Sequence, residues 1–180
     1  MMSKTMQDAF NEQMKNEFYS AYLYLSMSAY CDSMNLPGLS RWMRHQAAEE
    51  TKHAMKIFDH LLDRAGRVEL QQIDRPATSF NSARDAFEQA HKHEQQVTAS
   101  INRVYGLAMD ERDFASRVFL DWFVQEQVEE EKTSGLLAEQ LRMVGDDRPG
   151  LLMLDRDLGQ RRSGTAGCAL ARHFHQLFPS

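Results

Sequence analysis

Apolar residues recur along most of this chain at intervals of three and four, the spacing that lines one face of an α-helix. Four long segments carry such a stripe. The first, about Thr5 to Ser33, places Phe10, Met14, Glu17, Ala21, Tyr24 and Ser28 on one face. The second, about Leu39 to Ala65, places Met43, Ala47, Glu50, Ala54, Ile57 and Leu61 there. The third starts near Asn81 or Ser82 and carries Ala83, Phe87, Ala90, Glu94, Val97, Ile101, Val104 and Ala108. The fourth follows a break at Asp110-Glu-Arg-Asp113 and reaches about Val144, with Phe119, Phe123, Gln127, Glu130, Ser134, Leu137 and Leu141. A short fifth helix is expected from about Gly150 to Leu158, after Pro149.

The connections set the order of these helices. Asn35-Leu-Pro-Gly38 predicts a turn, Gly66 a C-terminal cap, Asn81 or Ser82 an N-cap, and Gly145 the end of the fourth helix. Residues 67–81 hold Pro76, Thr78, Ser79 and Asn81 and show no helical period. They are too many for a turn between antiparallel neighbours, where about two to eight is usual. Fully extended they reach about 50 Å, enough to run the length of a helix of about 27 residues. The pattern predicts an all-α fold, a four-helix bundle with one long crossover between the second and third helices and a short C-terminal helix. One domain is expected over residues 1–158, followed by a tail over 159–180 with no role assigned.

Polar side chains interrupt the apolar stripes at related places. Glu17 is followed 33 residues later by Glu50 and 36 later by His53; Glu94 is followed 33 later by Gln127 and 36 later by Glu130. A carboxylate facing a core is costly unless it is paired, protonated or bound to a cation. Each group alone has an ordinary reading. A Glu-x-x-His occurs by chance, a core Glu is often hydrogen-bonded, and Glu129-Glu130-Glu131 alone reads as a solvated face. Their shared register within four stripes points to a metal site at the middle of the bundle.

Composition narrows the function classes. The chain has 180 residues, a net charge of −5 and 26% charged residues, which does not suit a nucleic-acid partner. The start, MMSKTMQDAF, has no signal-peptide core, and the uncharged run Phe18 to Cys31 spans only 14 residues, too few to cross a bilayer. No membrane partner is expected. Cys31 and Cys168 read as reduced thiols of a cytoplasmic protein.

The metal chemistry follows from the donor set. Glu50-Thr-Lys-His53 puts a carboxylate and an imidazole three residues apart, on one helix face. Glu from two helices with Glu-x-x-His from others is the inward-facing set of di-iron carboxylate bundles. Oxygen donors with one imidazole suit Fe(II), Mn(II) or Zn(II), and Glu50 is placed to bridge two ions.

These residues resemble those of the bacterial non-haem ferritins. Asn11-Glu-Gln-Met-Lys-Asn-Glu17-Phe-Tyr-Ser-Ala-Tyr-Leu-Tyr24 is similar to the first ligand helix of that family, Ala48-Glu49-Glu50-Thr-Lys-His53 to the second, and Glu126-Gln127-Val-Glu129-Glu130-Glu131-Lys132 to the fourth. The resemblance covers residues 5 to about 158. It implies a ferroxidase centre in which Glu17, Glu50 and His53 hold one iron, while Glu50 bridges to a second held by Glu94 and Glu130. It places Gln127 beside the site as a hydrogen-bond partner and Tyr24 next to the iron pair. It also implies a third iron position at Glu49, Glu126 and Glu129, with Glu130 shared. The expected chemistry is oxidation of Fe(II) by dioxygen or peroxide, with ferric oxide stored in a hollow 24-subunit shell and no haem.

Two related readings stay open on the sequence. A haem-containing bacterioferritin would carry a second Glu-x-x-His, at 127 and 130, where this chain has Gln127 and Glu130; its haem would need an interface methionine such as Met55. A subunit that only nucleates mineral would lack an intact ligand set. The tail fits the resemblance least, and its His173 and His175 read as a loose terminal segment. The turn at 110–113 reads as a capping turn, with a cation funnel as the alternative.

Overall fold

Each long helix begins where a short polar side chain covers free backbone N–H groups. Ser3 Oγ accepts from Met6 N at 3.1 Å, Ser82 Oγ from Asp85 N at 3.0 Å, and Asp113 Oδ1 from Ser116 N at 3.2 Å. The computed structural model describes residues 2–160. Among them the chain forms α1 (Lys4–Ser33), α2 (Pro37–Asp63), α3 (Ala83–Asp110), α4 (Phe114–Val144) and α5 (Arg148–Gln160), and no strand. His173, His175, Cys168 and the rest of 161–180 lie outside the described residues.

Two helix starts differ from the expectation, for one reason. Pro37 was expected in a turn and Pro149 just ahead of a helix, yet each lies in the first turn of a helix. A proline there loses no hydrogen bond, because that N–H has no partner within the helix, and its fixed φ suits the helix. The left-handed residue of the 34–36 turn is Asn35, with φ 59°. At the end of α2, Ala65 rather than Gly66 takes the left-handed conformation, and Gly66 N closes onto Leu61 O at 2.8 Å.

The short turns make α1–α2 and α3–α4 antiparallel pairs, and α1 packs against α3 to join them. The crossover runs along α1. Asn11 Nδ2 donates to Arg67 O (2.9 Å) and its Oδ1 accepts from Glu69 N (2.8 Å) at one end. Ser26 Oγ donates to Ala77 O at 2.6 Å, and Tyr30 stacks edge-on to Phe80 at 5.2 Å at the other.

The core is split in two. One apolar cluster holds Met6, Phe10, Met14, Ala54, Ile57, Val97, Ile101 and Phe123. The other holds Tyr24, Met27, Met43, Ala47, Phe87, Ala90, Leu137 and Leu141. On these helices the predicted metal residue falls between a member of one cluster and a member of the other: Glu17 between Met14 and Tyr24, Glu50 between Ala47 and Ala54, Glu94 between Ala90 and Val97, and Glu130 between Phe123 and Leu137. Of the predicted stripe positions only Phe119 is not fully buried.

The fifth helix is clasped to the start of α2. Leu36, the residue at the N-cap of α2, offers no side-chain bond; Asp155 of α5 accepts from Leu39 N at 2.9 Å instead. A Cβ on Gly38 would stand 1.7 Å from the Asp155 carbonyl oxygen. Gly38→Ala is therefore expected to lower stability by about 1–3 kcal/mol through forced displacement of α5. Asp155→Ala is expected to cost about 1 kcal/mol through loss of the cap. Denaturant unfolding of both variants checks this, and an unchanged midpoint for Gly38→Ala would contradict the close contact.

Candidate metal centre

Stripe periodicity turns three residues from two helices toward one point between the apolar clusters. Glu17 of α1 with Glu50 and His53 of α2 offer ligand atoms that all lie within 4.8 Å of one another. All three are buried, the two carboxylates to 1% exposure. His53 Nδ1 stands 3.3 Å from Glu50 Oε2. Among the described residues, neither oxygen of Glu50 accepts a hydrogen bond, and neither does Glu17 Oε2. A buried polar atom left unpaired costs about 1–3 kcal/mol, more for a charged group. Three such oxygens beside one imidazole are a donor set that suits a divalent cation.

The remaining oxygens are held by neutral donors. Gln13 Nε2, one turn before Glu17, donates to Glu17 Oε1 at 2.7 Å and is itself fixed by Ser100 Oγ, which donates to Gln13 Oε1 at 2.6 Å. Gln46 Nε2 donates across the bundle to Glu130 Oε2 at 2.7 Å. Tyr24 donates its hydroxyl to Glu94 Oε1 at 2.5 Å, and Gln127 Nε2 lies 3.2 Å from Glu94 Oε2. Gln127 and Tyr24 thus both donate to Glu94, one to each of its oxygens. Glu94 and Glu130 lie next to the three-residue cluster but outside its 4.8 Å set.

The carboxylates expected at a third iron position are arranged differently. Glu49, Glu126 and Glu129 are each half-buried. Glu49 Oε2 pairs with His45 Nδ1 at 3.0 Å and Glu129 Oε2 with Lys132 Nζ at 3.6 Å. The three do not converge on one point, although Glu49 and Glu126 add negative charge around Glu130. The acidic turn at 110–113 has a capping role: Asp113 covers the start of α4, and its two oxygens accept from Arg64 Nη2 at 3.0 and 3.2 Å.

Gln13, Gln46 and Trp122 were not singled out from the sequence. The two glutamines each stand four residues before a stripe glutamate, which was the available signal. Trp122 covers His53 edge-on with ring centroids 5.4 Å apart, and Lys56 Nζ lies 4.3 Å from its ring centre.

A model of the ferritin-like domain matches residues 7–144. The chain belongs to the ferritin family. Similar ferritins include a probable bacterial non-haem ferritin-like protein of Haemophilus influenzae, 36% identical over 159 residues, covering 88% of this chain and 96% of that one. A bacterial non-haem ferritin of Staphylococcus haemolyticus is 36% identical, covering 89% and 97%. Among solved structures, an open-pore ferritin from the archaeon Archaeoglobus fulgidus superposes with a TM-score of 0.89 at 46% identity, covering 90% of this chain and 100% of that one. The all-α bundle with a short fifth helix is accordingly a ferritin fold.

Crowding the acidic side chains of a ferritin into a dry layer shifts their protonation. Burial, then the neighbouring Glu50 charge, holds the Glu17 carboxyl well above the usual range. Burial, then Glu94, does the same to Glu50. Burial, then Glu94, pushes Glu130 up to about 8. Burial raises Glu94 as well, against the Tyr24 and Gln127 hydrogen bonds that lower it. In the unfolded chain these carboxyls ionise near 4.5. Between that value and about 8 the folded, metal-free protein holds protons that the unfolded chain has lost, so rising pH favours unfolding.

The metal-free protein is therefore expected to melt at progressively lower temperature as pH rises from about 5 to about 8, with a smaller slope in Glu130→Gln. Calorimetric scans at several pH values check the sign; a flat or rising profile would contradict it. Gln13→Ala is expected to weaken Zn(II) binding by about tenfold, because it frees the Glu17 carboxylate to turn. Isothermal titration measures that change.

Proposed function

We propose that this ferritin is an iron-storage protein that oxidises Fe(II) at a di-iron centre within each subunit. The observation that carries the reading is Glu50: a carboxylate at 1% exposure, central among the acidic residues, with neither oxygen hydrogen-bonded among the described residues. A bridging carboxylate needs both oxygens free. Glu17 and His53 would complete one iron position, and Glu94 and Glu130 a second, with Gln13, Gln46, Gln127 and Tyr24 fixing their orientations. Glu49, Glu126 and Glu129 would serve a third position only after rearranging, since Glu49 and Glu129 are engaged elsewhere.

The chemistry follows from the protons and charges. Two Fe(II) ions displace the protons that burial keeps on the carboxyls. Each gives up one electron. The two electrons, with two protons, reduce dioxygen to hydrogen peroxide, or hydrogen peroxide to water. The ferric product moves on as hydrated oxide to the interior of a shell of identical subunits, which we place at 24 by analogy with the family. Residues 1–158 would form the domain that does this, and residues 159–180 an appendage to it. We place the protein in the cytoplasm; no helix among the described residues is long and apolar enough to cross a membrane.

Aerobic addition of Fe(II), followed by ferric absorbance in the near ultraviolet, tests the reading. Wild type is expected to oxidise iron well above the buffer rate, and Glu50→Ala and His53→Ala to lose at least about tenfold in initial rate. Equal rates for wild type, both variants and buffer would leave only a mineral-nucleating role.

A further inference from the structure

The proposed centre is enclosed, with Glu17 and Glu50 at 1% exposure and Glu94 at 0%, so its substrate ions need a way in. The helices differ in what they offer. On the α2–α4 flank His53 is covered by Trp122, and the Lys56 ammonium sits 4.3 Å from that ring centre. The ammonium charge opposes an approaching cation there, and the indole, its face already taken by that ammonium, covers the imidazole. On the α3–α4 flank lies a groove of about 300 Å³, with Thr98 and Gln127 at its inner side, Ile101 and Val128 as apolar walls, and Asn102 and Glu131 supplying polar groups. The Glu131 charge is near enough to act on Glu94.

Gln127, which lines this groove, also reaches Glu94, and its amide is loosely held. Its one amide nitrogen spans three acceptors, Thr98 Oγ1 at 3.1 Å, Glu94 Oε2 at 3.2 Å and Glu94 O at 3.3 Å. Two hydrogens cannot serve three acceptors in straight bonds, and the three distances run from the long part of the usual range to just beyond it. By contrast, Gln13 and Gln46 each hold one carboxylate at 2.7 Å.

We propose that the α3–α4 groove admits divalent cations to the centre, with Gln127 as its gate. The proposal rests on the di-iron reading given above. Glu131 and Asn102 draw the cation into the groove, and rotation of the Gln127 amide off Glu94 lets it through to the carboxylate. A gate changes rates, not affinity, because it slows arrival and departure alike.

Stopped-flow binding of Co(II) to the assembled, metal-free protein tests this, read by visible absorbance. Val128 is 63% exposed, so Val128→Phe fills the groove without disturbing the core. It is expected to slow association and dissociation of Co(II) together, by about tenfold, at unchanged affinity. Glu131→Gln should slow association and flatten its dependence on ionic strength, and Gln127→Ala should speed it. Wild-type rates in Val128→Phe would overturn the gate, as would weaker affinity at unchanged association rate. Normal Co(II) rates with slowed oxidation of bound Fe(II) would assign the groove to the oxidant and overturn the cation path. If wild type binds no Co(II), the metal-centre reading fails and the gate with it.

Discussion

An acidic layer buried between two apolar half-cores is the constraint around which this subunit is built. Glu17, Glu50, Glu94 and Glu130 occupy one level of the bundle, at 8% exposure or less. Removing an ion from water costs several kcal/mol even after relaxation. Four carboxylates buried at one level cannot all be charged there at low cost without cations. The metal-free layer must hold protons, and the apolar clusters at either end must supply the cohesion that this layer lacks. That division explains why the helices are long. Each needs apolar turns on both sides of its metal residue, and the crossover must then travel the length of α1 to bring the second pair into register.

The parts of this arrangement that follow a helical period could be read from the chain alone. Glu17, Glu50, Glu94, Gln127 and Glu130 interrupt regular stripes, and all prove buried where those stripes meet. What could not be read depends on contacts between distant segments or on a choice between two local outcomes. Asp155 caps α2 from 116 residues away. Gln46 reaches Glu130 on another helix, so its place in its own stripe does not reveal its partner. Trp122 is at the edge of burial, where periodicity is silent. Prolines 37 and 149 could end a turn or begin a helix, and capping decided between them. Glu49, Glu126 and Glu129 share a face with the ligand residues, yet salt bridges with His45 and Lys132 draw two of them aside.

The repeat in spacing between the two halves conceals a difference in role. His53 belongs to the cluster that converges within 4.8 Å. Its counterpart in spacing is Glu130, while Gln127, the counterpart of Glu50, is a donor to Glu94. On the proposed reading, one half would supply a nitrogen ligand and a bridging carboxylate with no hydrogen bond. The other would supply oxygen ligands that accept from amides and a phenol. The two carboxylates differ in their partners: Glu50 accepts no hydrogen bond among the described residues, whereas Glu94 Oε1 takes the Tyr24 hydroxyl at 2.5 Å and its Oε2 the longer Gln127 contact at 3.2 Å.

The neutrality of those donors has a consequence of its own. Gln13, Gln46, Gln127 and Tyr24 orient the carboxylates without adding charge. Fully ionised, the four glutamates carry four negative charges, which balance two divalent cations. Two trivalent cations would leave the layer two positive charges in excess, in a medium where such an excess costs far more than in water. On the proposed chemistry, electroneutrality would favour a pair of ferrous ions over the ferric pair formed from them. The same glutamates that draw the metal in would make its stay brief, and the centre would work as a turnstile rather than a vault.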